Sequence, residues 1–76
     1  MAKYEPLSRH LRTAIHPISM TFDEISQLVG GLPPSAYRHR EWWANNPRMH
    51  VQAHAWLELG RRVEEVDLRA EVVRFS

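Results

Sequence analysis

The sequence contains no cysteine, only one lysine among ten basic residues, and no long apolar run. Without cysteine the chain forms no disulfide and offers no thiolate ligand to zinc. No apolar stretch approaches the roughly 20 residues of a membrane-spanning helix, and the start, MAKYEPLSRH, lacks the apolar core of a secretory signal. These absences exclude a disulfide-rich scaffold and predict a cytoplasmic protein that does not enter a membrane.

Signs of catalysis are also scarce. The chain has no cysteine nucleophile, and its three glycines form no phosphate-binding loop, because Gly30 and Gly31 are better explained as a helix stop. Ser35 is better explained as a helix cap than as a nucleophile. We therefore expect a protein that is not an enzyme and needs no cofactor.

The length of the chain limits the number of domains and the size of the hydrophobic core. A chain of 76 residues predicts one domain over residues 1–76. A domain of this size buries only about 60% of its unfolded surface, so its stability is marginal. Small cores without disulfides often gain stability from self-association, and a homodimer is a further expectation.

Charge is unevenly distributed along the chain. The net charge is only +1, but residues 33–62 hold five arginines against two glutamates, a net charge of +3. Residues 63–76 hold two arginines against four acidic residues. All three tryptophans lie in the basic part. Arginine contacts phosphate and guanine in a bidentate manner, so this segment is the first place to look for a nucleic-acid surface.

Hydrophobic spacing and local breakers predict the secondary structure. The pattern predicts a helix over 5–14, a short extended segment at 18–20, a helix with a Thr21–Glu24 capping box that Gly30 ends, helices over 36–44 and 50–59, and a hairpin between 63 and 75 that turns at 69–71. The predicted fold class is α+β: three to four helices packed on a two- or three-stranded antiparallel sheet, similar to a winged helix-turn-helix. In that fold the early strand pairs with the hairpin.

Aromatic and polar residues alternate between residues 35 and 62. Arginines and histidine suit phosphate, whereas asparagine and glutamine amides read adenine. The candidate nucleic-acid contacts are Arg38, His39, Arg40, Asn45, Asn46, Arg48, Gln52, Arg61 and Arg62. The function predicted on this basis is non-catalytic DNA binding.

Other interpretations of the same residues stay open. The predicted third helix can be a solvated face over core tryptophans, with Arg38 paired to Glu41. On one helix Trp42 and Trp43 point about 100° apart, which predicts one in the core and one at its margin. A rival function is a protein-interaction adaptor or phage-encoded inhibitor that uses Tyr37 and Trp42, because tryptophan and tyrosine dominate interface hot spots.

A metal-dependent nuclease is a third interpretation. His50 and His54 are four residues apart, a spacing that places two metal ligands on one helix face. Further ligands would have to come from His39, Glu41 or Glu58. The run does not match the metalloprotease pattern, and we predict no metal site.

The central pattern resembles a small uncharacterised domain family of bacteria and phages. The residues that carry the resemblance are Leu32–Pro33, Ser35–Ala36, His39-Arg40-x-Trp42-Trp43-x-Asn45, Gln52-Ala53-x-Ala55-Trp56-Leu57, Gly60, Val63 and Val66-Asp67. It extends from the Thr21–Glu24 box to the last strand. Members are similar in occurring alone or attached to nuclease-like proteins, which implies a DNA-related role. One departure is Arg61, where members often have an aromatic residue.

Overall fold

The computed structural model describes residues 3–76, which form four α-helices, two 3-10 turns and three strands. The helices are α1 (Glu5–Thr13), α2 (Phe22–Val29), α3 (Pro34–Arg38) and α4 (His54–Leu57); the 3-10 turns are Arg40–Trp43 and Val51–Ala53; the strands are β1 (Ile18–Thr21), β2 (Val63–Asp67) and β3 (Val72–Phe75). The α+β class predicted from the sequence is confirmed. No helix in the described part has the length and apolar character to cross a bilayer.

The sheet is antiparallel with the order β1-β3-β2. The early strand therefore pairs with the hairpin, as predicted, and β3 lies in the centre. The hairpin turn contains neither glycine nor asparagine. Instead the Asp67 carboxylate accepts the Ala70 N–H at 2.9 Å, and Glu71 adopts the left-handed conformation with φ of 58°.

The second helix begins as the sequence predicts. The Thr21 hydroxyl accepts the Glu24 N–H at 3.0 Å, and the Glu24 carboxylate accepts the Thr21 N–H at 2.8 Å. Gly30 ends the helix with φ of 78°. This reciprocal capping box satisfies two of the N–H groups that a helix start leaves unpaired.

The helix predicted over 36–44 is wrong in its length and its start. Helix α3 begins at Pro34, whose fixed φ suits the first helical position, and the Ser35 side chain makes no cap. It ends at Arg38, because His39 is extended with φ of −124° and ψ of 118°. The chain then continues as the tighter turn Arg40–Trp43.

The helix predicted over 50–59 is also shorter in the structure. A 3-10 turn occupies Val51–Ala53, and only His54–Leu57 is α-helical. Val51, at the start of this 3-10 turn, is 57% exposed. The short α4 packs against α1, which fixes the position of Trp56 in the core.

A column of aromatic rings forms the centre of the core. Phe22 stacks on Trp43 with ring centroids 4.8 Å apart, and Trp43 lies parallel to Trp56 at 6.3 Å. Phe75 of β3 follows at 5.4 Å from Trp56. Four separate elements thereby contribute one ring each to the same column.

Both consecutive tryptophans are buried, contrary to the prediction of one at the margin. Trp43 is 1% exposed and Trp42 is 8% exposed, with their rings edge to face at 4.6 Å. Trp42 also packs on Tyr4 of the α1 start. The extended His39 and the 3-10 turn are what allow both side chains to enter the core.

We expect Trp43→Ala to lower the free energy of unfolding by about 3–5 kcal/mol. The change removes one of the two inner rings of the column and the hydrogen bond from Trp43 Nε1 to the Ala36 carbonyl at 2.9 Å. Urea unfolding followed by circular dichroism measures the effect. The matched control is Met49→Ala, since Met49 is exposed and its loss should change stability by less than about 0.5 kcal/mol. Equal effects of the two substitutions would contradict the central role of Trp43.

Candidate nucleic-acid interface

The outer edge of β2 is covered by side chains of the preceding segment. The Asn45 side chain donates Nδ2–H to the Val63 carbonyl at 3.0 Å and accepts the Val63 N–H at 2.9 Å through Oδ1. The same oxygen accepts Trp56 Nε1–H at 2.9 Å. Arg40 donates from Nη1 to the Val66 carbonyl. These two side chains pair with the strand edge in place of a fourth strand.

The prediction of Asn45 as a base contact is therefore wrong. Its amide nitrogen and oxygen are both engaged inside the protein, and the residue is half-buried. Arg40 uses only one of its five N–H groups inside the protein, in the hydrogen bond to the Val66 carbonyl, and its side chain is exposed. Arg40 can still contribute charge to the surface.

The prediction that Arg61 contacts phosphate is wrong as well. The side chain is 1% exposed, and its guanidinium crosses the interior to the end of α1. It donates to the carbonyls of Leu11, Ala14 (3.2 Å), Ile15 (2.8 Å) and Ser76 (2.6 Å). A helix C-terminus has unpaired carbonyls and a negative dipole end, so the end of α1 satisfies most of the N–H groups of this buried cation.

Two further predicted contacts lie in the core. Gln52 is buried and donates Nε2–H to the Trp42 carbonyl at 2.6 Å, so it does not read a base. Trp42 is equally buried, which corrects its prediction as an exposed interface residue. Tyr37 is half-buried, with its ring edge against Phe22 at 5.6 Å, and only part of it reaches the surface.

The remaining predicted contacts are exposed. They are Arg38, His39, Asn46, Arg48 and Arg62. Within residues 3–76, no side-chain hydrogen bond or ion pair involves the three guanidinium groups of this set. Asn46 shapes the turn that carries Arg48, because its Oδ1 accepts the Arg48 N–H at 3.2 Å and its carbonyl accepts the His50 N–H at 2.9 Å.

The hydrogen bonds between Asn45 and Val63 connect the stretch of chain before Arg48 with the stretch that follows Arg62. Arg62 immediately precedes Val63, whose backbone Asn45 holds, and Arg48 follows Asn45 by three residues. Three residues span at most about 11 Å, so the backbone of Arg48 lies within that distance of Asn45. We define the basic surface as Arg38, Arg40, Arg48 and Arg62.

Other cations have different surroundings. Arg74 pairs with Glu64 at 3.2 Å and Glu65 at 3.7 Å, so part of the acidic hairpin is neutralised on the sheet. Lys3 donates to the carbonyls of Val29 (3.2 Å) and Gly31 (2.9 Å), at the end of α2. These two cations stabilise the fold rather than extend the basic surface.

His50 and His54 do not share a helix face. His50 precedes the 3-10 turn and His54 begins α4, which corrects the helical arrangement predicted for them. His54 Nδ1 lies 3.1 Å from Glu58 Oε2. In the part of the chain that the structure describes, no group of three or more His, Cys, Asp or Glu is placed to hold a metal ion.

Burial affects the titration of one core residue. Desolvation raises the pKa of Tyr4 above its usual value, because its phenol lies at the base of α1 against Trp42. The phenol is therefore neutral at physiological pH. Tyr4 belongs to the core and does not contribute charge to the basic surface.

Two exposed apolar residues were not predicted as surface features. Met49 is 74% exposed and lies between Arg48 and His50, close to the exposed Val51. No local signal in the sequence marks the break in the predicted helix that turns Val51 outwards. The position of Met49 after a proline-containing turn is the only sequence feature that hints at its exposure.

The fold is that of a small α+β domain with an aromatic core and with exposed arginines between residues 38 and 62. The chain belongs to the family described as Domain of unknown function (DUF7662), whose model matches residues 4–76. No curated protein and no solved structure matches it. The resemblance to an uncharacterised domain family is thereby confirmed at the level of the family.

We expect Arg61→Met to destabilise the protein by more than about 2 kcal/mol. The substitution leaves the buried Leu11 carbonyl and the part-buried main-chain oxygens of Ile15 and Ser76 without their donor, and an unsatisfied buried group costs about 1–3 kcal/mol. Thermal and urea unfolding measure the loss. Arg62→Met is the matched control, since the neighbouring side chain is exposed and should change stability by less than about 0.5 kcal/mol. A destabilisation by Arg62→Met as large as that of Arg61→Met would overturn this assignment.

Proposed function

We propose that this protein is a non-catalytic DNA-binding module that contacts the phosphate backbone through the basic surface. The observation that carries the proposal is the state of Arg38, Arg48 and Arg62. Their side chains are exposed, and within residues 3–76 none of them pairs with a carboxylate. Free guanidinium groups on one segment are the chemical requirement for phosphate contact.

The geometry favours phosphate contact over base reading. Helix α3 has five residues, a length of about 7.5 Å, which corresponds to only about two base-pair steps of about 3.4 Å along the duplex. Asn45 and Gln52, the amides best suited to adenine, are engaged in the core. The element order still resembles a winged helix, but no helix near the basic surface is long enough to fill a groove. We therefore propose binding with little sequence preference.

Charge balance supports the same surface. The segment from residue 38 to residue 48 holds three arginines and one glutamate, and Arg62 adds a fourth cation beside it. The acidic hairpin does not cancel this charge fully, because Glu64 and Glu65 are already paired with Arg74. His39 and Asn46 add exposed polar groups at the same surface.

Three further properties belong to this proposal. The resemblance to domains attached to nuclease-like proteins fits a DNA-related role in bacteria or phages. A DNA-binding role implies a cytoplasmic protein. A homodimer, which the small size favours, would double the number of phosphate contacts in one complex.

We expect the affinity for generic duplex DNA to fall with salt, with a log–log slope of roughly −3 per domain. Three free arginines neutralise about three phosphates, and each contributes about −0.9 to the slope. Fluorescence anisotropy at a series of salt concentrations measures it. Replacing Arg38, Arg48 and Arg62 together by alanine should reduce the magnitude of the slope by about 1 for each residue and so bring it close to zero.

The control removes charge elsewhere. Arg12 and Arg69 are exposed and lie outside the basic surface, on α1 and in the hairpin turn. Arg12→Ala with Arg69→Ala should leave the slope within about 0.5 of its original value. Equal losses in the two variants would show that only net charge matters, and a slope near zero for the unaltered protein would remove the proposal.

A second candidate function is protein binding, and the exposure of Met49 and Val51 favours it. Methionine and arginine are enriched at protein interfaces, and these apolar side chains stand beside Arg48. The rival adaptor function would thus use this loop and the exposed part of Tyr37, with Trp42 excluded by its burial.

Self-association offers a direct test of the second candidate. If Met49 and Val51 form a contact between copies, Met49→Ser with Val51→Ser should weaken dimerisation at least about tenfold, as expected for losing two buried apolar side chains. Sedimentation equilibrium measures the dissociation constant. Ile15→Ser is the control, because Ile15 is exposed elsewhere on the chain. A purely monomeric unaltered protein would count against a homodimer at this loop.

A further inference from the structure

A cavity lies between α1 and the segment that contains α4. Its volume is about 230 Å³, and its lining consists of Glu5, Ser8, Val51, His54, Ala55 and Glu58. The first two residues come from α1 and the others from the second 3-10 turn, α4 and the residue after it. None of these residues belongs to the basic surface.

Ser8 is the unusual member of this lining. The residue is only 9% exposed, yet its hydroxyl makes no hydrogen bond with any residue between 3 and 76. In the same part of the chain, every fully buried side-chain nitrogen or oxygen has a partner. The Ser8 hydroxyl is therefore not sealed in the core, and the cavity is where it is open to a ligand.

The other polar groups of the cavity accept hydrogen bonds. Glu58 Oε2 lies 3.1 Å from His54 Nδ1, and this carboxylate accepts the imidazole N–H. Glu5 adds a second carboxylate, whose only ion-pair contact in the described chain is Arg9 Nε at 4.0 Å. Both carboxylates are largely exposed, and together they place negative charge at the entrance of the cavity.

The size and chemistry of the cavity select a donor-rich cation. A cavity of about 150 Å³ holds benzene, so this one accommodates a planar group of guanidinium size with water. A guanidinium offers five N–H donors and no acceptor, which complements two carboxylates and a hydroxyl. The apolar side chains of Val51 and Ala55 suit the methylene stem that an arginine side chain carries.

We propose that this cavity binds the guanidinium group of an arginine side chain from a partner polypeptide. The site is independent of the proposed DNA contact, because its two carboxylates repel phosphate and it shares no residue with the basic surface. Glu5 and Glu58 attract the cation, and the Ser8 hydroxyl accepts one N–H at the base of the cavity.

The test is a titration of the intact, isotope-labelled protein with methylguanidinium, followed by amide chemical shifts. We expect saturable shifts at Ser8, Val51, His54 and Ala55, with a dissociation constant in the millimolar range. Methylurea has a similar shape but no charge, and it should produce no saturable shift at these residues. The spectrum of each variant also reports whether the fold is intact.

Substitutions identify the groups that bind. Ser8→Ala should weaken binding roughly threefold, as expected for one neutral hydrogen bond. Glu58→Gln should weaken it roughly two- to fivefold, because the carboxylate is exposed and screened. Glu71→Gln is the matched control, since it removes the same charge from the hairpin turn, and it should leave the dissociation constant unchanged.

Three outcomes would overturn the proposal. The first is a response to methylguanidinium that is linear or spread over all acidic surface residues. The second is equal binding of methylurea. The third is an effect of Ser8→Ala and Glu58→Gln no larger than that of Glu71→Gln. DNA binding is measured separately, so failure here leaves the phosphate proposal unaffected.

Discussion

The burial of two consecutive tryptophans constrains the central third of this chain. A regular helix would direct Trp42 and Trp43 about 100° apart, yet both side chains lie in the core. The backbone meets this demand by leaving the helix at His39 and tightening into a 3-10 turn. Large aromatic side chains dominate the burial energy of a small core, so their placement prevails over the local preference for a continuous helix.

Irregular backbone leaves polar groups that regular elements would pair internally. In this domain side chains satisfy them: Asn45 pairs with both backbone groups of Val63, Gln52 with the Trp42 carbonyl, and Arg61 with the end of α1. Buried backbone groups must be paired, so these residues are required for stability. Amide and guanidinium groups are also the groups that bind bases and phosphates. For this reason the sequence alone suggests a nucleic-acid site at residues that in fact stabilise the fold.

The arginines consequently divide by environment. Arg61 is a structural cation in the interior, Arg74 forms ion pairs on the sheet, and Arg38, Arg48 and Arg62 are free at the surface. The last group has charge that no carboxylate in the described chain neutralises. The acidic cavity beneath α1 has the opposite preference, so the two proposed sites would recruit different partners.

Some features were determined by local sequence alone. The Thr21–Glu24 box, the stop at Gly30 and the alternating hairpin depend on neighbours within a few residues, and all three appear as predicted. The α+β class follows from those elements. The early strand was also predictable, since its pairing with the hairpin completes the sheet.

Only the tertiary structure decided which polar residues remain available for binding. Arg61 and Arg62 are adjacent and chemically identical, yet one is buried and the other exposed. No local pattern distinguishes them, because the main-chain partners of Arg61 lie 15 residues away at Ser76 and 46 to 50 residues away at the end of α1 and just after it. Burial and hydrogen bonding between distant segments emerge only when the elements pack, and they determine which guanidinium groups can meet a ligand.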